Sequence, residues 1–409
     1  MMQTLPKASS PTSKLLRNLD ISTAHPLASV LLPDPVDTDC EIRDYQVLGS
    51  YNLLDSQAPT IAIPGQPRIW QEPSLPLQIS PDCGYTFIDQ NAWRCQESPL
   101  EPLFRSISVT QQLLGNTSFS LSEQQIDVVT DRNNLRKLNA MVRSMRSNET
   151  LTPNKRREFR IDAQLAPNGR TLLLTRYSDQ LRQMISPGDA GYGTNFEHAT
   201  TSNYTPILTS NRGQSGCKKF TPTSYHRVAK YRLADLNLLV RYEVDAVQHA
   251  SSVDDLPTFE QLSLEQKTVE TQKHSTLDHI VSGILVPQDR VMELKTGKLK
   301  WVQIFPQLYF SQTSMLKVGV HQNGIFSKVE DHPIDENYNG RAVESRQNLL
   351  DDLRFLVPLL KQMKQACQQQ KRLGKPLAFF WSGAGPLQLY EIKHVKQAHI
   401  LPEDVLESL

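Results

Sequence analysis

Leu238–Leu239–Val240–Arg241–Tyr242–Glu243–Val244–Asp245 is an apolar run that ends on two carboxylates one residue apart. Val, Leu and Tyr favour a half-buried strand, and alternate strand residues share a face. The spacing therefore sets Glu243 and Asp245 on one face, with Val244 turned to the opposite layer. Two carboxylates so placed repel each other, and the arrangement is costly unless a cation binds them. Further along, Val291–Met292–Glu293–Leu294–Lys295 repeats the pattern, with Glu293 and Lys295 on one face. Oxygen ligands of this kind suit Mg²⁺ or Mn²⁺. Such an ion activates water and stabilises charge at a scissile phosphate, and Lys295 can hold that water or the developing charge. Taken singly, an E-x-D or an E-x-K usually marks the wet face of a strand. Both here lie behind apolar runs, which raises their weight. A third such segment, Glu391–Ile392–Lys393, has no partnered E-x-D close before it and reads as structural.

Working outward, residues 126–143 read as a short apolar strand followed by a helix, with Arg132 just after the strand. Arg suits bidentate phosphate contact, although a salt-bridged surface role is the commoner one for a lone Arg. Gly193–Thr194–Asn195–Phe196–Glu197 combines a further carboxylate with Gly191 and Gly193, which permit a tight approach. Its plain reading is a turn and a helix start. Strand-like runs cover 170–177, 228–246 and 285–294. In 301–312, Gln303 and Gln307 share a helix face, so either can lean over the acidic centre. Apolar spacing from Leu349 to Met363 predicts a long helix over 344–373, kinked at Pro358. Residues 249–276 are polar and read as a surface insertion. Strands, insertion, strand, helix and long helix in that order predict an α/β (α+β) fold, a mixed β-sheet flanked by helices rather than a pure βαβ array.

The balance of 44 basic and 43 acidic residues, net charge +1, excludes a broadly basic nucleic-acid coat but not a local basic groove. Cys40, Cys83, Cys95, Cys217 and Cys367 make a poor disulfide framework and read as reduced thiols. No apolar run is long enough for a membrane span. The beginning lacks a secretory apolar core, and residues 1–40, rich in Ser, Thr and Pro, read as a disordered tail. One domain over 41–400 and a short tail over 401–409 complete the expected organisation. Lys155–Arg156–Arg157 reads as a solvated basic run.

Taken together, the motifs resemble the DXO-type decapping and 5′-to-3′ exoribonuclease family, whose core is a divergent PD-(D/E)XK nuclease fold. That family carries an arginine, then G-Φ-x-Φ-E, E-Φ-D, E-Φ-K and a helix glutamine. Here these are Arg132, Gly193 to Glu197, Glu243–Val244–Asp245, Glu293–Leu294–Lys295 and Gln307, the last selected over Gln303 by the following Leu316–Lys317–Val318–Gly319–Val320. Asp131–Arg132–Asn133 replaces the family's W-R-G, and Thr194 stands where the family has an apolar residue. The resemblance implies that Glu197, Asp245 and Glu293 ligate two divalent ions with the Leu294 carbonyl nearby, and that Glu243 acts partly through water. It implies that Lys295 and Gln307 position the nucleophilic water and Arg132 touches a substrate phosphate. The implied activity is a metal-dependent hydrolase acting on the RNA 5′ end; the expected compartment is the nucleus or cytoplasm, and the residues name no protein partner and leave a monomer open.

The chain looks closer still to a fungal group often labelled geranylgeranyl pyrophosphate synthetase, through Ser50–Tyr51–Asn52, P-T-I-x-x-P-G at 59–65, S-P-L-E-P-L-F at 98–104 and D-V-V-T-D-R-N-N at 127–134. Such synthases need two D-D-x-x-D motifs on facing helices. Asp254–Asp255 and Asp351–Asp352 do not complete either one. Two other classes stay open on the residues: a same-fold nuclease or weakly catalytic binder of other nucleic acid, and a protein-interaction scaffold working through the 344–373 helix.

Overall fold

The computed structural model of the chain describes residues 13–21, 25–116, 119–147, 158–186, 191–210, 217–248, 269–270, 277–334, 341–370, 375–393, 401 and 405–406. The basic run 155–157, Asp254–Asp255 and nearly all of the 249–276 insertion lie outside those residues. Among the described residues, thirteen strands form one mixed sheet and five form a second, smaller one. Helices flank both, as the element order predicted.

At the middle of the large sheet, Val128–Asp131 runs parallel to Leu236–Glu243 on one side and to Leu172–Arg176 on the other. The run predicted as one strand over 228–246 is three. Cys217–Leu233 and Leu236–Glu243 pair as a hairpin, whose turn places Ala234 at φ 54°. Ala246–Val247 then joins the smaller sheet beside Val291–Thr296. Hydrophobicity alone cannot show such a break, because both sheets bury the same residue types. The 285–294 run is likewise shorter than predicted, with Asp278–Gly283 and Val291–Thr296 as separate strands. In the smaller sheet Val291–Thr296 lies parallel to Met315–Gln322, and helix Trp301–Ser311 connects them.

Helix Arg132–Arg146 follows Val128–Asp131 without a gap. Leu135, Leu138, Met141 and Val142 turn inward and share a core with Leu349, Leu353, Leu356, Leu360 and Met363 of the long helix Arg341–Gln369. That helix runs on through Pro358. Proline has no N–H to give the carbonyl four residues back, and here the Val36 N–H donates to Arg354 O at 2.9 Å instead. Arg354 Nε returns a bond to Val36 O at 2.8 Å. Helix Trp301–Ser311 solves the same problem at Pro306: Arg143 Nη1 donates to Val302 O at 3.3 Å.

The docking at Pro358 explains a correction to the expected disordered tail. Residues 13–21 and 25–40 are ordered against the domain. Ala28–Val30 is an edge strand on Leu387–Glu391, and the fully buried Arg160 donates to Leu15 O and Arg17 O. The Ser and Pro content hid backbone bonds made to distant partners. Glu391–Ile392–Lys393 lies at this far edge, where Lys393 pairs with Asp20 at 3.1 Å.

The fold is not the all-helical bundle that a prenyl synthase would need. Asp352, one of the acidic pair on the long helix, is 1% exposed and bound by Arg143 and Arg146 at 2.6 and 2.5 Å. Among the described residues, no helix is long and apolar enough to cross a membrane.

Candidate active site

The seam between the sheets is where the chain crosses from one to the other. Leu236–Glu243 ends at Glu243, and Ala246 already pairs with Met292 of the smaller sheet. Glu243 and Asp245 therefore do not lie on one regular strand face, contrary to the alternation predicted above. Asp245 sits in the link, and its Oδ2 accepts the Leu294 N–H at 2.9 Å. That bond ties it to the segment carrying the other acidic motif.

Glu293 and Lys295 do share a face. Lys295 Nζ lies 2.5 Å from Glu293 Oε1, 2.8 Å from Leu294 O and 3.7 Å from Asp245 Oδ2. Gln307, one helix away, donates to the same Glu293 oxygen. Arg132 Nη1 reaches Glu293 Oε2 at 3.3 Å and Ser311 Oγ at 3.2 Å. Gln303 instead lines a neighbouring groove, and its carbonyl accepts from Arg136. Gln307 is thus the glutamine brought to the acidic centre.

Glu197 arrives on helix Gly193–Thr200, which the buried Phe196 anchors among Trp70, Met292, Leu294 and Phe326. The close approach expected at Gly191 and Gly193 is absent, since a side chain at Gly193 would meet nothing within 4 Å. It occurs at Gly319, where a Cβ would lie 2.6 Å from Phe196 and from Phe326.

The electrostatics follow from this crowding. Burial raises the Glu197 carboxyl well above its usual range, and the Asp245 charge adds to the shift. Burial likewise raises Asp245, with Glu293 next. Glu243 opens to solvent along the cleft, yet protein surrounds it closely enough that burial again leads its upward shift. Burial opposes the ionisation of Glu293 too, but Lys295 and Arg132 outweigh it and hold the carboxyl low. Lys295 is held firmly protonated: burial works against its charge, and Glu293 and Asp245 overcome it. One buried anion is neutralised while its carboxylate neighbours are left in mutual repulsion. Among the described residues, no three acidic, imidazole or thiol groups close on a common point as a metal cage. The donor set still fits a hard divalent cation. It consists of carboxylate oxygens and the Leu294 carbonyl, and added positive charge offsets the burial, and the carboxylate neighbours, that raise Glu197, Glu243 and Asp245.

The cleft over this centre has a volume of about 320 Å³. Its far wall holds groups that the sequence reading missed: Asp89, Asn91, Arg136, Arg176 and His226. Arg136 was within reach, one helical turn beyond Arg132. His226 could be found only from the register that sets it opposite Glu243. Its ring stacks on Tyr51 at 5.2 Å and is kept neutral by burial, with the Arg241 charge second. Below it, Arg241 holds Asp131 through two bonds of 2.6 and 3.0 Å. Asp131 is thereby unavailable to cap the helix that starts at Arg132.

A sequence model for a domain of unknown function, DUF8563, matches residues 34–406. The chain belongs to the DUF8563 family. No curated protein matches it. Among solved structures, this DUF8563 chain is similar to Candida albicans Rai1 in complex with pU5 and Mn²⁺, at 11% identity and TM-score 0.53, over 93% of this chain and 99% of that one. It is similar to Scheffersomyces stipitis Rai1 in complex with (3′-NADP)⁺ and a calcium ion, at 12% identity and TM-score 0.51, over 93% and 94%. S. pombe Rai1 in complex with 3′-FADP gives 14% identity and TM-score 0.50, over 89% and 99%. At such identities the likeness is one of fold, and it covers nearly the whole of each chain. The DUF8563 chain thus has the mixed-sheet fold of Rai1, the fold expected from its motifs. None of these matches carries the synthetase label.

Proposed function

We propose that the protein is a divalent-metal-dependent phosphodiesterase acting on the 5′ end of RNA, removing a 5′ triphosphate or an incomplete cap, with 5′-to-3′ removal of nucleotides at the same centre. The observation that carries this reading is the acidic cluster itself: Asp245 and Glu293 contact Lys295, the Glu197 charge is felt by the same lysine, Glu243 lines the same cleft, and Gln307 and Arg132 reach the same Glu293 carboxylate. The shared fold with Rai1 structures, one holding pU5 and Mn²⁺ and one a calcium ion, supports the substrate and the cation.

Glu197, Asp245, Glu293 and the Leu294 carbonyl would hold Mg²⁺ or Mn²⁺, with Glu243 contributing through water. When bound, such ions lower the pKa of water and offset charge on the phosphate oxygens. The protein's own groups do the positioning. Lys295 and Gln307 each present N–H donors at the Glu293 carboxylate, where an attacking water would be oriented. Arg132, with Arg136 and Arg176 lining the same cleft, offers guanidinium donors to phosphate oxygens. The neutral His226, stacked on Tyr51, and the bonded Arg241–Asp131 pair line the cleft beside them.

The deciding experiment is hydrolysis of 5′-triphosphorylated RNA and of unmethylated-cap RNA by the purified protein with Mn²⁺, beside a Glu243→Ala, Asp245→Ala double variant. Release of pyrophosphate, cap dinucleotide or mononucleotides by wild type alone is expected. Absence of turnover together with absence of Mn²⁺ binding overturns the proposal.

A further inference from the structure

A groove of about 720 Å³ adjoins the acidic cleft and shares Asn133 and Arg136 with it. It runs along helix Arg132–Arg146, between Val302 to Pro306 on one side and Phe159 and Trp381 on the other. Its size suits a small organic ligand or one unit of a polymer, and three features describe what it takes.

The first is charge. Lys137 faces the groove one residue after Arg136 and forms no ion pair among the described residues. Burial, and then the nearby Arg176 guanidinium, pull its pKa down to about 8. Arg136 is pulled down to about 10 by burial and by Arg132. Cations crowded against one another in this way are stabilised by an anion.

The second is an unmet hydrogen bond. Asn139 lines the groove, is only 2% exposed, and its Oδ1 has no partner among the described residues. A buried acceptor left in this state costs free energy until a donor reaches it. The third is continuity. Because Arg136 borders both spaces, an anion chain can pass from the acidic centre into the groove without leaving the protein surface.

We propose that the groove is a second subsite, holding a nucleotide of a single RNA strand whose 5′ end lies at the acidic centre. The phosphate of that nucleotide lies beside Lys137 and Arg136, and one of its N–H or O–H groups donates to Asn139 Oδ1. A single strand is required, because a paired and stacked nucleotide cannot reach so deeply buried an amide. This inference rests on the reading of the acidic centre as a phosphodiesterase site.

The test is equilibrium binding to the whole protein in Ca²⁺. The probes are a short 5′-phosphorylated oligoadenylate carrying a 3′ fluorophore, its 2′-deoxy counterpart, and AMP. Lys137→Met is expected to weaken the oligomer about tenfold and to lower its salt slope by about one, leaving AMP unchanged, while Lys137→Arg restores both. Asn139→Leu weakens the oligomer several-fold. Equal losses for the ribo and deoxy forms put the base on Asn139, and a loss confined to the ribo form puts the 2′-hydroxyl there. Oligomer binding by Lys137→Met equal to wild type, or a parallel loss of AMP, overturns the inference. Hydrolysis of the unlabelled oligomer with Mn²⁺ separates the two readings. Turnover that depends on Glu293 with inert groove variants removes the subsite alone. Absent turnover with weakened oligomer binding keeps the subsite as a strand-binding groove and removes the catalytic reading.

Discussion

Glu293–Leu294–Lys295 and Glu243–Val244–Asp245 have the same spacing and border the same cleft, yet they are built differently. The first lies wholly within a strand, so the two-residue repeat brings its ends to one face, 2.5 Å apart. The second straddles the end of a strand. Glu243 closes Leu236–Glu243 in the large sheet, and Asp245 belongs to the link into the small one. What brings Asp245 to the centre is its bond to the Leu294 N–H, not strand alternation. A site made of carboxylates from two sheets can change its spacing when the sheets shift. A site on one strand cannot.

The comparison breaks hardest at Glu293. Its carboxylate accepts from Arg132, Lys295 and Gln307 at 2% exposure. Glu293→Ala is expected to lower turnover about 10³-fold or more. Stripping a buried pair of its anion also destabilises the fold by about 3 kcal/mol, readable as a fall in melting temperature. A variant that melts like wild type would show that the cluster is not electrostatically coupled.

Asp245→Asn separates the two roles of the linking residue. The amide oxygen still accepts from Leu294 N–H, so the melting temperature stays near that of wild type. Turnover falls about 10²-fold because the negative charge is gone. A large loss of stability instead would place the residue's importance in the link between the sheets.

Gly319→Ala acts from outside the cluster. The new Cβ would press on Phe196 and Phe326, whose rings stack at 4.8 Å. Overpacking costs about 2 kcal/mol. The shift of Phe196 carries Glu197 with it, so the Mn²⁺ concentration for half-maximal activity rises while that for Asp245→Asn and Gly319→Ala combined shows non-additivity. Additive effects would detach Glu197 from the centre.

The smallest effect belongs to Glu391–Ile392–Lys393. Lys393 pairs with Asp20 at the far edge of the large sheet, with 43% and 30% of the two side chains exposed. Lys393→Ala is expected to change stability by about 0.5 kcal/mol or less and turnover not at all. A loss of activity would mean that spacing alone had misled the choice among the three segments.

Much of the centre was legible because its residues carry unusual chemistry in regular surroundings. Glu293 and Lys295 were readable from period-two spacing, whereas Arg132, which alone reads as a salt-bridged surface residue, entered only through the order of the motifs. Gln307 and Gln303 could not be separated by spacing, since both share a helix face. Only the packing of Trp301–Ser311 on the small sheet turned Gln307 to Glu293 and Gln303 to the groove. The ordered N-terminal segment was illegible for a related reason. Its Val36 N–H answers a carbonyl freed by Pro358, more than three hundred positions away along the chain.

The sequence by itself determined the carboxylates, the cations and the mixed strand and helix content, because side-chain chemistry and hydrophobic period are local properties. The tertiary structure alone decided that Asp245 leaves its strand, that His226 stands opposite Glu243, and that Lys137 and Asn139 face one groove. These depend on sheet register and on where the chain changes sheets, which are set by contacts between residues far apart in sequence.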